Sequence, residues 1–119
     1  MLVDLAAFEN VRTAAGQLSA ERVVADSRAR LESLLRTGDA LVQLSEDRFG
    51  VVVAVRDQEQ LDTVCARIHS VLVEVPVPRR ALQVRPRVRS ALGAAALAHP
   101  DFAGLMQRVR DAAERRAAG

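Results

Sequence analysis

The fold of this chain is decided by the stretch LRTGDALVQLSEDRFG at residues 35–50. Apolar and β-branched runs at 40–44 and 49–55 flank the polar tetrapeptide SEDR at 45–48. Runs of this kind on either side of a short polar segment are typical of a β-hairpin. The three consecutive valines at 51–53 lack the alternation of a strand with one wet face. The second strand is therefore predicted to be central in its sheet and covered on both faces.

Apolar periodicity places further elements on both sides of this hairpin. In chain order, the sequence predicts a strand at 2–5, a turn or helix that ends at Gly16, a helix at 19–35 capped by Ser19, the two hairpin strands, a helix capped by Asp57 and ended by Pro76 and Pro78, a strand from about Leu82 to Ala91, and a helix after Pro100. The order β-α-β-β-α-β-α predicts an α/β (α+β) sandwich in which helices flank a central, mostly antiparallel sheet.

Composition limits the classes of function. With 119 residues the chain fits one domain over residues 1–119. All 17 basic residues are arginine and only 3% of the residues are aromatic, so a discrete anion site is favoured over a nucleic-acid groove. The single cysteine, Cys65, allows no internal disulfide, and no segment has the pattern of a membrane span or a signal peptide. We therefore expect a cytoplasmic protein that binds neither nucleic acid nor membrane.

The stretch at 35–50 resembles the signature hairpin of GGDEF domains, whose strands meet at a Gly-Gly-Asp/Glu-Glu-Phe turn. In that family an Arg-x-x-Asp motif precedes the turn by five residues, and here Arg36-x-x-Asp39 keeps that spacing before a turn that runs from Ser45 to Phe49. The resemblance covers nearly the whole chain and implies a bacterial, diguanylate cyclase-like signalling domain with the palm fold of cyclases and polymerases. It also implies that the domain is truncated at its N-terminus, because the family's opening Asp-x-Leu-Thr-Gly-Leu-x-Asn-Arg motif is missing.

The residues that the resemblance assigns to catalysis are partly replaced. Asp4 and Asp47 match the two carboxylates that bind magnesium in the family, so they are candidate ligands for Mg²⁺. The two turn glycines that let the triphosphate approach are Ser45 and Glu46. Arg48 stands in place of the second turn carboxylate, and a fixed cation opposes the binding of magnesium ions that need several oxygen ligands.

At other positions of the family pattern, residues that bind the nucleotide in the family are also replaced. The guanine-reading asparagine corresponds to Arg12, and the phosphate-binding lysine of the last helix corresponds to Ala117. Loss of a single electrostatic donor typically costs on the order of 10² to 10³ in rate, and several are missing here. We therefore expect an inactive diguanylate cyclase with no catalytic residues and no required cofactor. Weak metal-dependent GTP binding or residual cyclase activity through Asp4 and Asp47 stays open as an alternative.

The family's inhibitory product site is retained. Arg36 and Asp39 match its Arg-x-x-Asp motif, and Arg67, eighteen residues after Phe49, matches the arginine that completes it. Guanidinium groups suit phosphates and the Hoogsteen edge of guanine, and a carboxylate can accept from guanine amines. The resemblance therefore implies a cyclic di-GMP receptor or regulatory module. The plainer interpretation is a helix-terminal arginine, a turn aspartate and a solvated helix residue.

A row of arginines marks the predicted strand near the C-terminus. Arg85, Arg87 and Arg89 alternate with Val84, Pro86 and Val88, so the arginines share one face of the strand. Pro86 predicts an edge position, where charged side chains resist edge-to-edge pairing. The same row could receive an acidic partner, and a protein partner or a homodimer is expected. A structural or dimerising domain without nucleotide binding is thus the second hypothesis.

Overall fold

Four strands and five helices make up the part of the chain that the computed structural model describes. That part comprises residues 1–6, 8–77 and 84–118, with the side chains of residues 97 and 112–118 outside the description. The elements are β1 (Leu2–Ala6), α1 (Phe8–Ala15), α2 (Gln17–Leu34), β2 (Ala40–Ser45), β3 (Arg48–Val52), α3 (Gln58–Val73), β4 (Arg85–Arg89), α4 (Ala94–Ala98) and α5 (Pro100–Ala118).

The four strands form one antiparallel sheet in the order β2-β3-β1-β4. The hairpin and the central position of β3 are as predicted, and β4 lies at an edge, as Pro86 indicated. This order is that of a split β-α-β arrangement, in which β1 inserts between the hairpin and β4. The predicted α/β sandwich with an antiparallel sheet is therefore confirmed.

Each face of the sheet carries its own apolar core, because successive side chains of a strand point to opposite sides. Val3, Phe49 and Val51 belong to the larger core beneath α2 and α3. Leu2 belongs to the smaller core on the other face, where Phe102 and Leu105 of α5 cover it. The sheet is thus the middle of three layers, and β1 contributes to both cores.

The helices differ from the predicted pattern in number and in their first residues. The segment before Gly16, predicted as a turn or a helix, is a full helix, α1, and a short helix that was not predicted, α4, precedes α5. The predicted cap Ser19 is wrong: α2 begins at Gln17 with Gly16 as its N-cap at a φ of 91°. Asp57 does cap α3, because its side chain accepts a hydrogen bond from the backbone N–H of Gln60 at 2.8 Å.

Some predictions concern residues outside the described part of the chain. These are Pro78 as the end of a helix, the first residues of the strand from about Leu82, and the side chain of Ala117. Within the described residues, no helix combines the length and the hydrophobicity needed to cross a bilayer.

The close approach of α5 to the sheet depends on Gly50 in β3. A Cβ atom at Gly50 would lie 2.1 Å from Cδ1 of Leu105, which is 2% exposed in the smaller core. A side chain at this position would push α5 away from the sheet or force Leu105 out of its rotamer. Gly104, on the same helix, has no such neighbour within 4 Å of its added Cβ.

We expect Gly50→Ala to destabilise the domain by about 1–3 kcal/mol through overpacking against Leu105. Gly104→Ala should stabilise it by roughly 0.5–1 kcal/mol, because alanine restricts the unfolded chain and favours helix. Urea unfolding followed by far-ultraviolet circular dichroism would measure both changes. Equal stability of Gly50→Ala and the wild type would contradict the packing described for α5.

Candidate functional site

The hairpin turn lies against the start of the chain. Ser45 pairs with Arg48, and Glu46 and Asp47 form the two-residue loop between them. The backbone carbonyl of Asp47 accepts a hydrogen bond from the N–H of Leu5 at 2.9 Å, so the turn is fastened to β1. Of the five residues that match the family turn, four lie in or beside the loop. Phe49, the fifth, is fully buried in the larger core.

Arg48 occupies the position next to the first candidate metal ligand. Asp4 and Arg48 are direct cross-strand partners in β1 and β3. The Arg48 Nε donates to Oδ1 of Asp4 at 2.6 Å. This hydrogen bond, with the negative charges of Asp4, Asp101 and Asp47, raises the pKa of Arg48 above its usual value. The guanidinium therefore stays charged, and it directly neutralises the carboxylate of Asp4.

A second ion pair joins the turn to α1. Arg12 donates one hydrogen bond to Glu46 in the turn and another to Glu9 on its own helix. Its guanidinium also lies 5.0 Å from the centre of the Phe8 ring, within the range of a cation–π contact. The hydrogen bond from Arg12 lowers the pKa of Glu46 below its usual value. The residue matched to the family's guanine-reading asparagine thus binds a residue matched to a turn glycine.

The donor set of Asp4 and Asp47 does not fit a magnesium ion. Asp4 is paired with Arg48, and Oδ1 of Asp47 accepts a hydrogen bond from the Ser45 hydroxyl at 3.2 Å. In the described part of the chain, no three His, Cys, Asp or Glu side chains come together closely enough to hold a metal ion. Magnesium prefers six oxygen ligands in near-octahedral geometry. The magnesium site at Asp4 and Asp47 therefore stays a prediction, and the observed pairing of these carboxylates argues against it.

The three residues matched to the product site lie around one pocket. Arg36 and Asp39 belong to the loop between α2 and β2, Arg67 belongs to α3, and all three line a cavity of about 60 Å³. The floor of this cavity is apolar and includes Val53, Val64 and other side chains that pack against the larger core. The tertiary structure therefore brings together residues that are distant in the sequence.

The arginines and the aspartate of this pocket have different local roles. The Asp39 carboxylate accepts a hydrogen bond from the backbone N–H of Arg36 at 2.8 Å, and the Asp39 N–H donates to the Arg36 carbonyl at 3.0 Å. These bonds close a turn in which Gly38 adopts a φ of 96°, a conformation that favours glycine. Among the described residues, neither Arg36 nor Arg67 has a carboxylate partner. Both guanidinium groups are exposed to solvent.

Comparison with known protein families identifies a family that matches nearly the whole chain. The family described as "Diguanylate cyclase, GGDEF domain" matches residues 1–118. The chain belongs to the GGDEF family. No curated protein matches the chain. GGDEF membership confirms the resemblance inferred from residues 35–50.

Solved structures with the same fold come from several bacteria. The GGDEF domain of a Pseudomonas aeruginosa protein superposes with a TM-score of 0.53 at 24% identity, covering 71% of this chain and 54% of that one. An EAL/GGDEF domain protein from M. capsulatus gives 0.57 at 21% identity, covering 70% and 54%. A sensory box/GGDEF family protein from Caulobacter crescentus gives 0.57 at 22%, covering 71% and 55%. This chain thus spans about half the length of those structures, and the likeness concerns the fold.

Sequence reasoning missed both ion pairs of the turn. Arg12 and Glu46 are 34 residues apart and Asp4 and Arg48 are 44 apart, so no local pattern connects them. A signal was nevertheless available. Arg12 replaces an asparagine and Glu46 replaces a glycine of the family pattern, and these two substitutions introduce opposite charges. Asp101, which lies near Arg48, matched no position of that pattern.

We expect the contribution of Glu46 to stability to disappear in acid. Because Arg12 holds the folded-state pKa of Glu46 below its usual value of 4.5, the contribution is present above that pH and is lost as the pH falls through the lowered pKa. Glu46→Gln should therefore lower Tm at about pH 7, and its Tm difference from the wild type should shrink as the pH falls below 4.5. Thermal unfolding across that range measures the difference. Glu59→Gln is the control, and a pH-independent Tm difference for Glu46→Gln would contradict the pairing.

Proposed function

We propose that this GGDEF domain has no diguanylate cyclase activity and acts as a cyclic di-GMP receptor through Arg36, Asp39 and Arg67. The bound state would be passed to a protein partner or to a second copy of the chain. The observation that carries this proposal is the shared pocket of the three residues, with both guanidinium groups exposed and without carboxylate partners among the described residues. Free guanidinium groups are suited to phosphate.

The size of the pocket indicates how such a ligand would bind. A cavity of about 60 Å³ is far below the roughly 300–1,000 Å³ of sites that enclose a small molecule. Cyclic di-GMP would therefore lie across the rim, with its phosphates on the arginines and a guanine edge toward Asp39. Because Asp39 already accepts from the Arg36 N–H, its second oxygen is the acceptor that would face a guanine amine. A ligand bound at a rim is only partly buried, which favours moderate affinity.

The absence of cyclase activity is supported by the two ion pairs of the turn. Phosphoryl transfer depends on positioned cations around the phosphates and on metal-binding carboxylates. Arg48 is paired with the Asp4 carboxylate, and Glu46 places a negative charge at a position where the family has glycine. Arg48 competes with a metal ion for the Asp4 carboxylate, and Glu46 places an anion where the family leaves room for phosphate. The proposal therefore assigns the nucleotide function to the pocket at the other end of the hairpin.

Isothermal titration calorimetry with cyclic di-GMP tests the receptor function. We expect a dissociation constant near 1 µM, about −8 kcal/mol, for the wild type. Arg36→Ala and Arg67→Ala should each weaken binding by about tenfold or more, since each removes a charged hydrogen-bond donor to phosphate. Arg22→Ala, on the exposed side of α2, removes the same charge elsewhere and should bind as the wild type does.

If titration of the wild type with cyclic di-GMP gives no heat of binding, the receptor function is overturned. The hypothesis of a protein-interaction domain then remains. Equal weakening by Arg22→Ala would indicate unspecific attraction of the ligand to arginine.

Incubation with GTP and Mg²⁺, followed by chromatography, tests the proposed absence of diguanylate cyclase activity. We expect no cyclic di-GMP or pyrophosphate to form, and measurable product would overturn the assignment of an inactive cyclase.

A further inference from the structure

Gln60 lines the same pocket as Arg36, Asp39 and Arg67, although the family resemblance assigned it no role. It lies in the first turn of α3, and Arg67 lies two turns further along the same face of the helix. Val64, between them, belongs to the apolar floor of the pocket. At 1.5 Å per residue, Gln60 and Arg67 leave the helix about 10 Å apart along its axis. The pocket therefore has a polar side chain at each end of its α3 wall.

Two hydrogen bonds fix Gln60 at the start of α3. Its backbone N–H donates to Oδ1 of Asp57, the N-cap residue, at 2.8 Å. Its side-chain oxygen Oε1 accepts a hydrogen bond from the backbone N–H of Arg56 at 2.7 Å. Because a backbone N–H can pair only with an acceptor, the oxygen of the amide must face Arg56. The amide nitrogen Nε2 is then the group that Gln60 has left for a ligand, and within the described chain it donates to no acceptor.

The Gln60 amide and the Asp39 carboxylate offer a ligand opposite hydrogen-bonding groups. Nε2 of Gln60 is a donor, whereas the Asp39 carboxylate is only an acceptor. Both side chains are half-buried at the rim of one small cavity of about 60 Å³, so a flat ring across that rim can reach both. The apolar floor, which includes Val53 and Val64, suits the face of such a ring. A donor and an acceptor at fixed places on one rim can distinguish bases.

Guanine matches this pattern and adenine opposes it. Guanine carries an acceptor, O6, beside two donors, the N1–H and the N2 amine, so O6 can meet Gln60 while the donors meet Asp39. Adenine carries an amine in place of O6 and an acceptor, N1, in place of the N1–H. An adenine in the same position would bring two donors together at Gln60 and two acceptors together at Asp39. Polar groups left unpaired in this way cost binding free energy.

We propose that Gln60 is a specificity-determining residue of this pocket, whose Nε2 donates to O6 of a guanine that faces Asp39 and thereby selects guanine over adenine. This inference rests on the proposed binding of cyclic di-GMP and adds base selectivity to it. The oxygen of the same amide is held by the start of α3, so the donor is positioned before any ligand binds. Positioning of this kind lowers the entropy cost of binding.

Gln60→Glu separates the ligand contact from the structural role of the side chain. Glutamate keeps an oxygen for the Arg56 N–H, and a carboxylate is favourable in the first turn of a helix, so Tm should not fall. It has no donor for O6 of guanine, but it can accept from the amine of adenine. Calorimetric titration with cyclic di-GMP, and competition by cyclic di-AMP, measure both dissociation constants. We expect the ratio of Kd for cyclic di-AMP to Kd for cyclic di-GMP to fall about tenfold or more relative to the wild type.

The ratio is the decisive quantity, because the charge added by glutamate repels the phosphates of both ligands alike. Gln60→Met removes the donor without adding charge, and it should also lower the ratio. Gln58→Glu is the matched control, because it places the same charge in the same helical turn at an exposed residue. The Gln58 side chain bonds to Asp62 at 2.8 Å and does not line the pocket, so this variant should keep the wild-type ratio.

The outcomes for Gln60 and for the receptor function are distinguishable. If the wild type binds cyclic di-GMP and both Gln60 variants keep its ratio, the selection of guanine by Gln60 is overturned and the receptor function stands. If the wild type binds neither ligand, both proposals are overturned together.

Discussion

The antiparallel pairing of β1 with β3 is the constraint on which the rest of the structure depends. It places Asp4 directly opposite Arg48 and lets the N–H of Leu5 bind the carbonyl of Asp47. The same pairing turns Val3 toward α2 and α3 and Leu2 toward α5, so one short strand belongs to both cores. A shift of one residue would exchange the two faces and separate the ion pair. The geometry of the turn is therefore a consequence of the packing of the sheet.

The ion pairs of the turn matter more for what they occupy than for their energy. The side chains of Arg48 and Asp4 are 42% and 21% exposed, and such pairs typically contribute about 0–1 kcal/mol. Packing of the buried residues contributes far more to the fold. The guanidinium paired with Asp4, however, belongs to the chain itself, so it stays beside this carboxylate at any protein concentration. A metal ion would have to displace it before binding the same oxygen, so the pair opposes metal binding at Asp4 although it contributes little to stability.

The two candidate sites lie at opposite ends of the hairpin. Asp39 precedes β2 and the turn follows it, which separates them by about 20 Å at roughly 3.3 Å per residue. Residues of the turn therefore do not contact the loop that holds Arg36 and Asp39, and substitutions in the turn do not act on that loop directly. Because of this separation, a substitution at one site need not disturb the other.

Much of the fold was contained in local features of the sequence. The hairpin, the central strand β3, the edge strand with Pro86 and the cap by Asp57 all follow from alternation, turn residues and capping chemistry, which act over a few neighbouring residues. The sequence predicted the break at Gly16 but not that Gly16 is also the N-cap of α2, because a glycine can end one helix or begin the next. The spacing of Arg36 and Asp39 also belongs to this local class.

Only the tertiary structure decided which charges meet. Arg12 and Glu46, or Asp4 and Arg48, come from separate elements, and their contact depends on strand register and on the path of α1. The resemblance matched Arg67 to the site of Arg36, and in the structure it reaches that pocket because α3 packs against α2. The physical reason is that local propensities set the elements of a chain, whereas charge pairing over tens of residues is set by how those elements pack.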